Sequence, residues 1–118
     1  MAQLQALILI LSNVDKLNPL LKTLVANNIH GCTIWDSEGM THRLLETEDE
    51  EISHFGSIRK IINPKRDKSK TLFFVGTEQD VKKAKKLIVA VVGDFNEPDT
   101  GVMFCFNINE SYGIPDID

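Results

Sequence analysis

A chain of 118 residues with 42% hydrophobic and 25% charged side chains has the size and make-up of one globular domain. That composition excludes a disordered chain, a collagen-like fibre and a disulfide-stapled mini-protein. The formal charge of -4, from 13 Lys and Arg against 17 Asp and Glu, argues against a general nucleic-acid binder, which is usually basic.

Residues 4–11, Leu-Gln-Ala-Leu-Ile-Leu-Ile-Leu, are apolar at nearly every position, as in a central strand covered on both faces. The run is too short to span a bilayer, and no basic segment or small-residue cleavage site accompanies it. Ser12 and Asn13 end it, and Asp15 opens a helix with Leu17, Leu20, Leu21, Leu24 and Val25 on one stripe. Pro19 falls in the first turn of that helix, where a missing N–H costs little, and Asn27-Asn28 stops it. Residues 32–37 and 71–75 read as the second and third strands. Thr77-Glu78-Gln79-Asp80 has the form of a capping box. The helix it opens carries Val81, Ala84, Leu87, Ile88, Val91 and Val92 on one face and Lys82, Lys83, Lys85 and Lys86 on the other; Gly93 ends it. After Gly101, a fourth strand over 102–108 alternates Val102, Phe104, Phe106 and Ile108 with Met103, Cys105 and Asn107. Cys32 and Cys105 sit in apolar strand patterns, so free thiols in a reducing cytoplasm are expected.

The order is β-α-β, a long segment, then β-α-β. Two such halves predict an α+β, ferredoxin-like βαββαβ sandwich, a single domain over 1–118 with a long loop between strands 2 and 3. Helices would cover one sheet face. The other would carry Phe and Ile side chains, which predicts an oligomer.

The connection over 39–70 is long for a compact domain, and such connections usually serve function. Five of the six residues 46–51 are acidic, whereas residues 59–70 hold six bases and one acid, Asp67. Ile52, Phe55, Ile58, Ile61 and Ile62 predict a short amphipathic helix ending before Asn63-Pro64. Arg59, Lys65 and Arg66 are the candidates for touching a partner or an anion. The plainer account is a solvated loop whose charge runs face water.

No nucleotide-loop, dinucleotide, hydrolase or metalloprotease motif is present. His30 and Cys32 share a strand face and, with His42 or His54, are a candidate metal set, although a strand-entry His beside a core Cys is the blander account. Asp36 and Glu38 read as strand-edge polar residues, and Trp35 as a packing or interface aromatic. Residues 92–101 join the second helix to the last strand through Gly93 and Gly101, whose freedom would let backbone N–H groups converge on an anion; the plainer account is a helix-to-strand turn that uses Gly for its geometry alone.

With these residues in view, the chain resembles the nitrogen-regulatory PII-like signalling family. Strand one, helix one and Gly31-Cys32-Thr33-Ile34-Trp35-Asp36-Ser37-Glu38-Gly39 look like that family's opening half, residues 39–70 like its T-loop, 92–101 like its B-loop and the residues after Ile108 like its C-loop. The resemblance implies a non-enzymatic homotrimer in the cytoplasm, which binds no nucleic acid and senses a small effector between subunits. ATP and ADP are the candidate effectors, and residues 39–70 would signal to a regulated protein. It implies ligand-binding roles for Thr33, Ser37, Glu38, Gly39, Met40, Gly93, Asp94, Thr100 and Gly101, with Arg43, Arg59, Lys65 and Arg66 as candidates to supply charge. The chain departs from the family where a phosphate-binding Lys is expected, at Val102. C-loop arginines are missing from Tyr112-Gly113-Ile114-Pro115, and the T-loop tyrosine has no counterpart. The alternative is a metal-handling protein of the same fold, similar to the CutA family, using His30 and Cys32.

Overall fold

The apolar N-terminal run forms β1 (Leu4–Leu11) in a computed structural model that describes residues 3–46 and 68–114. Three further strands follow, β2 (Cys32–Ser37), β3 (Ser69–Thr77) and β4 (Gly101–Asn107). They form one sheet of order β2-β3-β1-β4 with every pairing antiparallel, the arrangement of a ferredoxin-like sandwich. Leu7 pairs with Phe74 on one side and Cys105 on the other, and Ile8 pairs with Phe73 and Phe104, so the register sorts residues onto two faces.

One face meets the helices. Leu7, Leu9 and Leu11 from β1 and Leu72 and Phe74 from β3 form the core with Leu20, Leu24, Ile29, Val81, Ala84, Ile88 and Val92. The first two of these helical residues lie on α1 (Leu17–Ala26), which follows a 3-10 turn at Val14–Lys16. The expected start at Asp15 is therefore taken up by that turn. Pro19 lies in the first turn of α1, as its missing N–H requires. At the other end Asn28 adopts φ 64°, and Ile29 N–H returns to Leu24 O at 2.9 Å while Asn28 N–H returns to Val25 O at 3.0 Å. This is a Schellman closure with Asn in the left-handed position. Val25, expected on the apolar stripe, is 59% exposed, because one residue past Leu24 turns it about 100° toward the flank.

The last four core residues lie on α3 (Glu78–Val92), which follows a shorter helix, α2 (Met40–Glu46). Thr77 Oγ1 accepts the Asp80 N–H at 3.2 Å, capping α3 as its sequence predicts, and Gly93 closes it at φ 103°. The helix α2 is absent from the sequence reading, which places 39–46 in a loop. The predicted helix around 52–62 lies outside the described residues. The strand β3 is longer at both ends than 71–75, and β4 begins at Gly101 and stops at Asn107, with Ile108 N–H still bonded to Leu4 O.

The second sheet face is open. Alternation places Ala6, Ile8 and Ile10, Phe73 and Val75, Val102, Phe104 and Phe106, and Trp35 on it. Trp35 and Phe106 are each 46% exposed, Phe104 is 45% and Val102 is 57%. Trp35 packs beside Phe73 with ring centroids 6.2 Å apart. Full burial of side chains of this size stabilises by about 1.5–3 kcal/mol each, so water on this face forfeits much of that gain. Among the described residues, no helix is long and apolar enough to cross a membrane.

Candidate functional site

The register brings the two candidate segments to the same end of the sheet. Asp36 pairs with Lys70, Lys70 with Leu11 and Leu11 with Gly101, so a single row runs across all four strands. Just beyond it each strand end carries a hydroxyl residue: Ser37, Ser69, Ser12 and Thr100. The group at the end of β2 (Ser37, Glu38, Gly39, Met40, Arg43) and the group at the start of β4 (Gly93, Asp94, Thr100, Gly101) lie on opposite edges. Three strand spacings separate them, about 14 Å. Thr33 is exposed on the open face four residues back along β2, about 13 Å from Ser37. Arg59, Lys65 and Arg66 lie outside the described residues.

At the β2 edge, Ser37 Oγ lies 2.7 Å from Ser69 Oγ, and Thr71 Oγ1 donates to Ser37 Oγ at 2.7 Å. Thr71 is buried, so this cluster satisfies a hydroxyl that water does not reach. On the opposite side of β2, Lys70 Nζ donates to Asp36 Oδ1, and that bond, with the lysine's charge, holds the Asp36 carboxyl below its usual range. Arg43 Nε lies 3.6 Å from Glu38 Oε1, and Arg43 N–H donates to Gly39 O at 3.0 Å, which begins α2. Met40 is 75% exposed beside them. Both Arg43 and Lys70 are thus already matched to carboxylates.

The turn before β4 is held by its own bonds. Asp94 Oδ1 accepts the Asn96 N–H at 2.9 Å, while Asp94 O accepts from Glu97 N–H at 3.1 Å and from Thr100 Oγ1 at 3.1 Å. Thr100 O accepts the Ser12 N–H at 3.2 Å, tying the turn to the end of β1. Asp94 and Thr100 therefore shape the turn, and Gly101 is required where the chain enters β4 against the Ile10 carbonyl. Val102, at the position where the family resemblance expects a phosphate-binding Lys, points its side chain onto the open apolar face.

The metal alternative finds no support here. Cys32 faces the helices, where burial raises its thiol pKa, and His30 is exposed. Among the described residues no three His, Cys, Asp or Glu side chains gather into a ligand set. His54 lies outside them. Asp36 and Glu38, the strand-edge polar residues, each take their own cation. Ser69 and Thr71 join the β2 edge without a local sequence signal. Alternation of Ser69, Lys70 and Thr71 marks a shared face, but only the register shows Ser37 opposite Ser69.

No family model matches the sequence, and no curated protein matches it. The fold does match solved structures. Arabidopsis thaliana PII bound to citrate superposes with a TM-score of 0.59 at 15% identity, over 91% of this chain and 78% of that one. Bacillus subtilis GlnK gives 0.60 at 12% identity, over 92% and 87%. A protein of unknown function from Pediococcus pentosaceus gives 0.63 at 10% identity, over 97% and 100%. The likeness extends over nearly the whole chain, and this protein has the fold of the PII proteins.

Proposed function

We propose that this chain is a divergent, non-enzymatic PII-like regulatory protein. It senses a small effector at clefts between the subunits of a homotrimer and signals through residues 39–70 to a target protein. The observation that carries this reading is the placement of the two candidate segments at one end of the sheet, on opposite edges. A gap of about 14 Å leaves a small ligand unable to grip both in one protomer. A neighbouring copy that packs against the open apolar face brings its own edge to close the cleft. Glu38, Gly39, Met40 and Arg43 stand at the root of residues 39–70, so an effector held there changes the populations of the segment's states only by binding them with different affinity.

The effector of this reading is less highly charged than a nucleoside triphosphate. Val102 replaces the Lys of the resemblance, Arg43 and Lys70 are matched by carboxylates, and Ser37, Ser69 and Thr71 offer hydroxyls. The test is a thermal-shift panel of ATP, ADP, AMP, cyclic dinucleotides, 2-oxoglutarate and citrate, each with and without magnesium. A ligand at 100 times its Kd adds about 2.7 kcal/mol to the native state. In a domain of this size that raises Tm by roughly 10 °C. A shift of that order with at least one compound other than ATP, lost on replacing Ser37 and Gly39, is the expected outcome. A flat panel contradicts the reading.

A further inference from the structure

Among the described residues both edges of the sheet, β2 and β4, are free, and both lack the features that keep edge strands apart. The strand β4 holds no charged residue and no proline, and β2 holds one charge, Asp36, which Lys70 of β3 already meets. An apolar edge of this kind offers its unpaired N–H and C=O groups to another strand. The directions fit as well. Each pairing in the order β2-β3-β1-β4 is antiparallel, so β2 and β4 run in opposite directions. A copy rotated about an axis along the strands therefore presents its β2 antiparallel to the β4 of its neighbour, with the apolar faces turned to one side. Such a rotation also keeps each cross-strand row level from one copy to the next. One of these rows runs Cys32-Phe74-Leu7-Cys105, so a thiol stands at each free edge on the helix-facing side. Neither thiol is fully buried. Three strand spacings, about 14 Å, keep the two from bridging within one chain.

We propose that Cys32 of one copy and Cys105 of the next form a thiol pair across the subunit edge, which oxidation closes into a disulfide that locks the assembly. The inference rests on the sensing reading, which needs the Ser37 edge of one copy beside the Gly101 edge of another. With Ser37 opposite Thr100, an antiparallel ladder sets Trp35 opposite Val102 and Cys32 opposite Cys105. A slip of one residue would set the apolar-face residues of one copy level with helix-facing residues of the next. Opposite residues in an antiparallel ladder have Cα atoms about 4.5–5.5 Å apart, inside the range that a disulfide spans. Closing the bond removes two protons and two electrons from the thiols. An azo oxidant such as diamide takes up both and becomes the hydrazine. Burial raises the Cys32 thiol pKa, so closure is slow at neutral pH and quickens as pH rises.

The test treats the full chain with diamide and separates the products on a non-reducing denaturing gel. Wild type should give bands of two and three chain masses, and dithiothreitol should return both to one. A closed ring of three gives nothing larger. Cys32→Ser and Cys105→Ser should each remove both bands, and the two variants co-expressed should recover the two-chain band alone. Peptide mapping of the wild-type two-chain band should find Cys32 linked to Cys105, a readout that does not depend on how the variants fold. Linkage of like cysteines, or bands that survive in either single variant, overturns the proposal. Sedimentation of the reduced protein separates the two levels of the argument. Reduced wild type of three-chain mass that gives no cross-link overturns the thiol pair and leaves the sensing reading in place. Reduced wild type of single-chain mass contradicts both.

Discussion

Gly101 shows how much a single position settles. Its φ is +148°, and a Cβ there would stand 2.5 Å from the Ile10 carbonyl oxygen, so neither the dihedral nor the space admits a side chain. Gly101→Ala should destabilise the protein by roughly 1–3 kcal/mol, read as a lower urea midpoint with an unchanged m-value. A midpoint equal to wild type would show that the strand entry relaxes freely. Cys32 is a second local case. Burial raises its thiol pKa more than its contact with the chain at Phe73 lowers it. The folded state therefore binds that proton more tightly than the unfolded state. The stabilisation is complete below the ordinary thiol pKa and is lost as pH rises to the raised value. Urea midpoints measured from pH 7 to 10 should fall more steeply for wild type than for Cys32→Ala, and alkylation at pH 8 should be slower than for the unfolded chain. Local chemistry made the Thr77 cap, the Gly93 stop and the Asn27-Asn28 stop legible in the sequence, because each depends on residues within one turn. The Ser37, Ser69 and Thr71 cluster was not legible, because its partners are 32 and 34 residues apart and meet only through strand register.

At the scale of elements, the hydrophobic period carried the four strands, α1 and α3, and it failed at α2. Met40-Thr41-His42-Arg43-Leu44-Leu45-Glu46 begins a stretch that reads by charge, and seven residues are too few for an apolar stripe to stand out. Nothing in local sequence separates a helix there from the start of a loop. The far end of α3 behaves differently, since its first turn has a side-chain cap and two acids, Glu78 and Asp80, aligned with the dipole. Thr77→Ala should cost about 1 kcal/mol, a Tm decrease of roughly 4 °C, with Thr77→Ser close to wild type. Equal losses for both would place the effect in packing and not in the cap. Edge position matters for the proposed function as well. The strands β2 and β4 flank the sheet, and their ends at one side hold both candidate segments, a relation that follows from the order β2-β3-β1-β4 and not from sequence proximity.

For the whole molecule the sheet is two-sided, with one face closed by helices and the other lined by Trp35, Phe73, Val102, Phe104 and Phe106 and left half exposed. Alternation in β4 announced that face from the sequence. Its breadth came from register, which adds Ala6, Ile8 and Ile10 to the same side. The proposed sensing mechanism depends on this face, because only association of copies brings one protomer's Ser37 edge to another's Gly101 edge. The mass in solution tests that directly. Sedimentation equilibrium at micromolar concentration should give a species of about 40 kDa, three times the 13.3 kDa chain. Phe104→Glu with Phe106→Glu should return it to the single-chain mass. A wild-type protein that stays at 13.3 kDa across the concentration range would contradict the account, because each half of the cleft would then stand alone.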